Sequence, residues 1–430
     1  MTTSAVIPYR ERLPDGGLKL NFHPGQNKAW YSPKRFIAML AGKQSGKTCF
    51  GADWMAREIA EKGAGDYLAV SSTFPLLNLK MIPEYQEVFE HNHQLGELVQ
   101  RRGTLFIDFY SSPTRIIFGS ATNPESIESA TAKAAHLDEV GQKQFRRESW
   151  EAVQGRLALN RGRCLFTTSL YVFGWFKLEI YDTWKAGAED IEVIQFPSTL
   201  NPTFSTAEYN RLKVNLPQWK FRMQYQGLFD RPAGLIYDCF DSDVAVIDRV
   251  DIPKEWPRYV GHDFGSAHMA AMWYAEDPQT GLFWAYREYL SGGKSVGEHA
   301  QEFKRLSQGE NIVKRVGGSH QEQGWREAFT QAGWPISEPK LFTTHPHDAV
   351  ETGILRVYEL HKLNRVLVFR DLYGYLGEKT TYSRELDDNY EPTEKIEDKE
   401  SYHLMDSERY ILGEFTPELA MQQSGEVWTW

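Results

Sequence analysis

The run Arg35-Phe36-Ile37-Ala38-Met39-Leu40-Ala41-Gly42-Lys43-Gln44-Ser45-Gly46-Lys47-Thr48 passes from an apolar stretch into a turn that closes in Gly-Lys-Thr. It predicts a buried strand feeding a phosphate-binding loop and then a helix. Backbone N–H groups of such a loop, backed by a helix N-terminus, cradle nucleotide phosphates. Lys47 is then placed to reach the β- and γ-phosphates and the Thr48 hydroxyl to hold Mg2+, with Gly42, Lys43, Gln44, Ser45 and Gly46 forming the cradle. The strict spacing is broken at Ala41, where the pattern has its first glycine; Gly42 follows one residue later. A Gly-Lys-Thr also occurs in ordinary turns, so the neighbouring chain decides.

Downstream, Phe50, Trp54, Met55 and Ile59 recur at helical spacing, which predicts the helix the loop requires. Upstream, Gln26 in His23-Pro24-Gly25-Gln26 is a candidate for pairing with adenine. Leu68-Ala69-Val70-Ser71 and Arg115 to Gly119 read as further strands. Ala134-Ala135-His136-Leu137-Asp138-Glu139 reads as a strand ending in adjacent carboxylates. In a nucleotide site Asp138 would bind Mg2+ and Glu139 would activate the attacking water; elsewhere such a pair is simply a solvated strand end. Arg163 to Tyr171 closes in Thr167-Thr168-Ser169, hydroxyl residues suited to sensing the γ-phosphate, or else a plain core strand. Ile191 to Phe196 is one more strand, and Gln218 to Asp230 reads as a helix ending at Gly227.

The chain has 430 residues, enough for two or three domains, with 41% hydrophobic and 25% charged residues and 13 Trp, 21 Tyr and 24 Phe, which exclude wholesale disorder. No apolar run reaches signal-peptide or membrane-spanning length, so the expected location is the cytoplasm, with no membrane partner. Three scattered cysteines support neither a disulfide framework nor a zinc site. The net charge of −10 does not exclude nucleic acid, because Lys143, Arg146 and Arg147, or Lys213, Lys220 and Arg222, form local basic groups while acid gathers in Asp387 to Glu400.

Arg231 to Gly234 reads as a hinge. Beyond it, Arg258 to Gly265, Met269 to Tyr274 and Leu282 to Tyr286 predict three successive antiparallel strands, with Asp263 inside the first. A buried acid demands a partner, and a metal ion is one. Ser401 to Tyr410 predicts a helix on which His403 and Asp406 share a face. Asp263 and Asp406 are thus candidate ligands of a two-metal nuclease.

Taken in order, His-Pro-Gly-Gln, Gly-Lys-Gln-Ser-Gly-Lys-Thr, Leu-Asp-Glu, Thr-Thr-Ser, Gly-His-Asp-Phe-Gly and His-Leu-Met-Asp-Ser-Glu-Arg-Tyr resemble the large subunit of tailed-phage terminases, over roughly Asn21 to Leu412. The resemblance implies an α/β chain: a P-loop ASCE-type packaging ATPase over 1–230, with 197–230 as a linker subdomain, a hinge over 231–255, and an RNase H-like nuclease over 256–430. It implies ATP and Mg2+ at the first site and Mg2+ or Mn2+ at the second. The implied partners are double-stranded DNA, the portal protein of the procapsid, the small terminase subunit and further copies of the chain in a ring, in the host cytoplasm. By position, Lys43 resembles the family's basic loop residue and Thr167, Thr168 and Ser169 its coupling motif. The family's middle nuclease acid is missing from Gly317 to Trp325; Glu322 and His320 are the candidate substitutes. A P-loop helicase or repair ATPase with an accessory nuclease-like domain is the alternative function, and a structural protein of the packaging vertex is a third.

Overall fold

The computed structural model describes residues 7–101, 103–123, 127, 131–171, 174–231 and 233–415. The chain forms two compact units, Met1–Pro232 and Ala233–Trp430. No helix among the described residues is long and apolar enough to cross a membrane.

The first unit is built on an eight-stranded sheet. Its strands run in the order Ile191–Phe196, Phe36–Ala41, Arg163–Thr168, Ala132–Asp138, Asp66–Ser71, Arg115–Ser120, Thr104–Phe109, Gly96–Arg101. The first six are parallel and the last two antiparallel. Phe36–Ala41 is continuously apolar because a central parallel strand is covered on both faces. Ala38 and Leu40 enter one core with Leu137, Trp150 and Phe166, while Ile37, Met39 and Ala41 enter the other with Phe50, Trp54 and Met55. Register aligns Leu40 with Thr168, Thr167 with Asp138, and Asp138 with Ser71. The loop, the carboxylates and the hydroxyl residues therefore emerge at the same edge, where α/β sheets bind their ligands.

The second unit holds a six-stranded sheet in the order Val246–Ile247, Val366–Phe369, Phe283–Ser291, Met269–Glu276, Arg258–Asp263, Ile312–Gly317. Arg258–Asp263, Met269–Glu276 and Phe283–Ser291 pair antiparallel in succession, and Ile312–Gly317 lies parallel to the first of them. A parallel bridge of Val316 with Ser337 reduces the next strand to one residue. Counted from Arg258, the strand order is 3-2-1-4-5, the RNase H-like arrangement. Val366–Phe369 and Val246–Ile247 extend the opposite edge.

The boundary between the two units, Pro232/Ala233, falls inside the stretch 231–255 that the sequence reading gives as a hinge. Pro232 lies outside the described residues, and from Ile236 the chain is folded onto the second unit. Ile236 donates its N–H to the Tyr382 carbonyl at 2.8 Å, and Val246–Ile247 pairs with Val368 and Phe369. The apolar side chains of Ile236, Tyr237 and Phe240 explain this, for all three are buried.

The His403–Leu412 helix packs directly on the Arg258–Asp263 strand. A Cβ on Gly261 would stand 2.0 Å from the Ser407 carbonyl oxygen, so only glycine allows this approach. The helix is held from below by Glu408, wholly buried, whose carboxylate accepts from Lys379 Nζ at 2.6 Å, Tyr375 OH at 2.6 Å and His361 Nε2 at 3.0 Å. Burial pushes this carboxyl up, but Lys379 and His361 outweigh it and hold it at about 2. Its stabilising contribution is therefore present above its ordinary 4.5 and lost as pH falls from there towards 2.

Removing one partner leaves a buried charge unpaired. Lys379→Met should cost the second unit about 3–5 kcal/mol, a fall in melting temperature of about 10 °C by calorimetry. Lys379→Met with Glu408→Gln should recover part of it. An unchanged melting temperature in the single variant would show that the pair is not what holds the helix.

Candidate active sites

In the first unit the loop is shaped by two left-handed residues, Gln44 (φ 58°) and Gly46 (φ 82°). Gly46 is the N-cap of the Lys47–Lys62 helix, so Lys47 and Thr48 lie in its first turn, where N–H groups lack intrahelical acceptors. The loop is braced from one side. Gly42 N–H donates to Phe196 O and Lys43 N–H to Gln224 O; Ser198 Oγ donates to Lys43 O at 2.7 Å and Asn201 Nδ2 to Gln44 O at 2.6 Å. A Cβ on Gly42 would sit 2.3 Å from Ser198 Oγ, which explains a glycine at that place rather than one residue earlier.

Lys47 Nζ donates to Ser169 Oγ at 3.0 Å and lies 3.5 Å from Glu139 Oε1. Thr48 Oγ1 donates to Asp138 Oδ2 at 3.2 Å, and Thr167 Oγ1 to Asp138 Oδ1 at 2.6 Å. Thr168 Oγ1 accepts from the Gly141 N–H at 2.9 Å, which ties down the turn after Glu139. Glu139 has φ 57°, a left-handed backbone on a residue with a side chain, and its Oε2 is buried without a hydrogen-bond partner. Strain and an unsatisfied acceptor in one carboxylate mark a functional position. Burial raises both carboxyls, and Lys47 opposes the rise at each. Lys47, Thr48, Asp138, Glu139, Thr167, Thr168 and Ser169 are thus drawn together, around the strand inserted between Phe36–Ala41 and Ala132–Asp138.

Gln26 is placed differently from the sequence reading. It is buried, its Nε2 donates to Gly46 O at 2.9 Å, and its Oε1 accepts the His23 N–H at 3.2 Å. Both ends of the carboxamide are spent on the loop and the helix cap, so Gln26 props the loop in this structure. Lys43 is likewise turned aside, its Nζ donating to Gln224 Oε1 at 2.8 Å. His23, Ser198, Asn201 and Gln224 are loop-bracing residues that sequence reasoning missed. Only His23, inside the His-Pro-Gly-Gln run, carried a local signal.

In the second unit Asp263 ends its strand, and its Oδ2 receives His403 Nδ1 at 2.8 Å. Asp406, one helical turn after His403, has Oδ1 bonded to Arg409 Nη2 at 2.7 Å. Burial pushes the Asp263 carboxyl up to about 6, with the charges of Asp406 and Glu322 adding to the rise against His403. Three carboxylates therefore sit close to one another, with His403 bonded to Asp263 and the Arg409 guanidinium bonded to Asp406. Glu322 spends Oε2 on the Ser319 N–H at 2.6 Å. His320 is 81% exposed and pairs with Glu338, so it does not join Asp263. Its side chain leaves the site because Ser319 and Glu322 close a capping box at the start of that turn, sending the next residue outward. His403 is the residue the sequence reading underused, with Nε2 buried and without a partner.

Among the described residues no group of three or more His, Cys, Asp or Glu side chains is arranged to hold a metal ion. The donor types fit a divalent ion, for Asp263 Oδ1 and Asp406 Oδ2 remain outside the bonds described above.

Residues 38–226 match the family model described as terminase large subunit, T4likevirus-type, N-terminal. No curated protein matches the chain. Among solved structures, the chain is similar to the large terminase of a thermophilic bacteriophage, at 18% identity over 91% of this chain and 98% of that one, with TM-score 0.43. It is similar to the bacteriophage HK97 large terminase, at 11% identity over 92% and 96%, TM-score 0.48. The P22 large terminase nuclease domain is similar over 42% of this chain and 91% of its own, at 16% identity, TM-score 0.33.

Proposed function

We propose that this chain, whose residues 38–226 match the terminase large-subunit model, is a terminase large subunit, the motor subunit that drives double-stranded DNA into a viral procapsid and cuts concatemeric DNA. The observation that carries the ATPase half is the convergence of Lys47, Thr48, Asp138 and Glu139 at one sheet edge, with Ser169 on the lysine. ATP is the nucleotide, its phosphates held by the 42–48 loop. Lys47 turns from Glu139 to the phosphates, neutralising charge that develops on the transferring group. That turn frees Glu139, whose Oε2 has no other partner, to take the proton of the attacking water. Thr48 and Asp138 would hold the Mg2+ of the nucleotide, which supplies charge neutralisation at the β- and γ-oxygens. Ser169 and Thr167 touch Lys47 and Asp138, so loss of the γ-phosphate is felt on the inserted strand.

Asp263 and Asp406, with Glu322 and His403 beside them, would hold the Mg2+ or Mn2+ of the nuclease, which polarises the scissile phosphate. The substrate is double-stranded DNA, the partners are a portal and a small subunit, the active form is a ring of copies, and the place is the host cytoplasm. Purified full-length chain should hydrolyse ATP faster when linear double-stranded DNA is added, as a translocase must. Turnover that ignores DNA across a salt titration would remove the motor reading and leave a plain nucleotidase.

A further inference from the structure

His136 lies fully buried in the middle of the first unit's sheet, two residues before Asp138, where a wholly apolar residue would pack at less cost. Its partners give it a direction. Asp138, read as a carboxylate, can only accept, so the 2.6 Å contact to Oδ1 uses the single proton of Thr167 Oγ1. Thr167 must then accept from His136 Nε2, 2.8 Å away, which places the imidazole proton on Nε2. The opposite nitrogen, Nδ1, is left as an acceptor, and Tyr85 OH stands 3.1 Å from it. The hydrogen bonds thus run one way: Tyr85 OH to His136, His136 to Thr167, Thr167 to Asp138.

The ring is also wedged in place. A Cβ on Gly51 would fall 1.9 Å from His136 Cε1, so the backbone of the helix that carries Lys47 and Thr48 rests on the imidazole itself. The Tyr85 ring lies nearly parallel to it, 6.1 Å between centroids and 13° between planes, with its hydroxyl at the Nδ1 edge. Helix, strand and relay therefore meet at one side chain.

We propose that Tyr85 and His136 are positioning residues for the ATPase centre, which hold the imidazole with its Nε2–H on Thr167 and so aim the Thr167 hydroxyl at Asp138. The proposal rests on the nucleotide-site reading of Asp138. With Oδ1 anchored, Oδ2 is the oxygen that faces Thr48, and the metal-holding carboxylate keeps one orientation. Without the tyrosine hydroxyl, Nδ1 loses the hydrogen bond that holds this edge of the ring. The Nε2–H contact to Thr167 then loosens, and with it the anchor of Asp138. Outer partners of this kind set metal affinity through the orientation of the inner ligand.

Tyr85→Phe tests this with the ring kept in the core. In the full-length chain it should raise the Mg2+ concentration for half-maximal ATP hydrolysis roughly tenfold, while binding of a fluorescent ATP analogue in EDTA stays at the wild-type value. Thr167→Val should behave like Tyr85→Phe. Nitrogen spectra of 15N-histidine protein, assigned with His136→Gln, should show the Nε2–H form in wild type and a shifted Nδ1 resonance in Tyr85→Phe, as that nitrogen loses its hydrogen bond. Wild-type Mg2+ dependence in Tyr85→Phe, or an Nδ1–H His136 in the wild type, overturns the relay. A chain that turns over no ATP at any Mg2+ concentration instead removes the function reading, and the nitrogen spectrum still decides the relay.

Discussion

Glu139→Gln should lower the kcat of ATP hydrolysis by roughly 10²–10⁴, the contribution of a positioned general base, with little change in nucleotide affinity. Its Oε2 makes no hydrogen bond that the amide would disturb, and the left-handed backbone at residue 139 is the same for Gln. Lys47→Ala should lose turnover and binding together, because the ammonium sits buried beside both Ser169 and Glu139 and would meet the phosphates in ground and transition state alike. The two variants are thus separated by a kcat and KM comparison together with direct nucleotide titration. A Glu139→Gln protein that turns over at near wild-type rate at saturating ATP would move the base elsewhere. A Lys47→Ala protein with unaltered affinity would take the phosphates away from this loop.

The strand and loop around Lys47 were legible because burial on both faces leaves a continuous apolar run, and a run that ends in Gly-Lys-Thr has few other uses. The inserted strand was legible as a strand but not in its place, since Arg163–Thr168 carries nothing that tells which neighbours it takes. That place is what puts Thr167 on Asp138. Gln26 was legible as a residue of the site, but its bracing of the loop was not, because its partners, the Gly46 carbonyl and the His23 N–H, exist only once loop and helix cap have formed. Gln224 and Ser198 reach the loop from far along the chain and could not have been found by spacing. Helical segments between Phe74 and Asn92 escaped notice because Pro75 and Pro83 sit in the first turns of successive pieces and break the long period on which a helix is recognised. In the second unit Asp263 stood out as an acid in an apolar strand. The late helix was legible as the source of Asp406, with His403 on the same face, but the contact of His403 with Asp263 depends on how closely helix and strand pack and no spacing reveals it.

Asp263→Ala and Asp406→Ala should each abolish cutting of plasmid DNA in Mg2+ or Mn2+, by roughly a thousandfold or more, the scale of several kcal/mol of lost charge stabilisation, while ATP hydrolysis survives. The two acids come from a strand end and a facing helix, brought together by the close approach at Gly261, and neither position can be supplied by a neighbour. Removing Asp406 also leaves the buried Arg409 unpaired, so Asp406→Asn, which keeps an acceptor for the guanidinium, is the cleaner test of charge. Cutting should show little base preference, because contacts to phosphates carry no sequence information. The remaining ligand is decided by three further variants. His320→Ala should cut like wild type, since that side chain is exposed and bonded to Glu338. Glu322→Ala and His403→Ala should each lose activity that raised Mn2+ partly restores, because both lie beside Asp263 and a higher ion concentration offsets a lost ligand or ligand-orienting group. If Asp263→Ala still linearises plasmid, this unit is not a nuclease of the two-acid kind. If only His320→Ala loses cutting, the capping box at Ser319 must open when metal binds, to bring that imidazole round to Asp263.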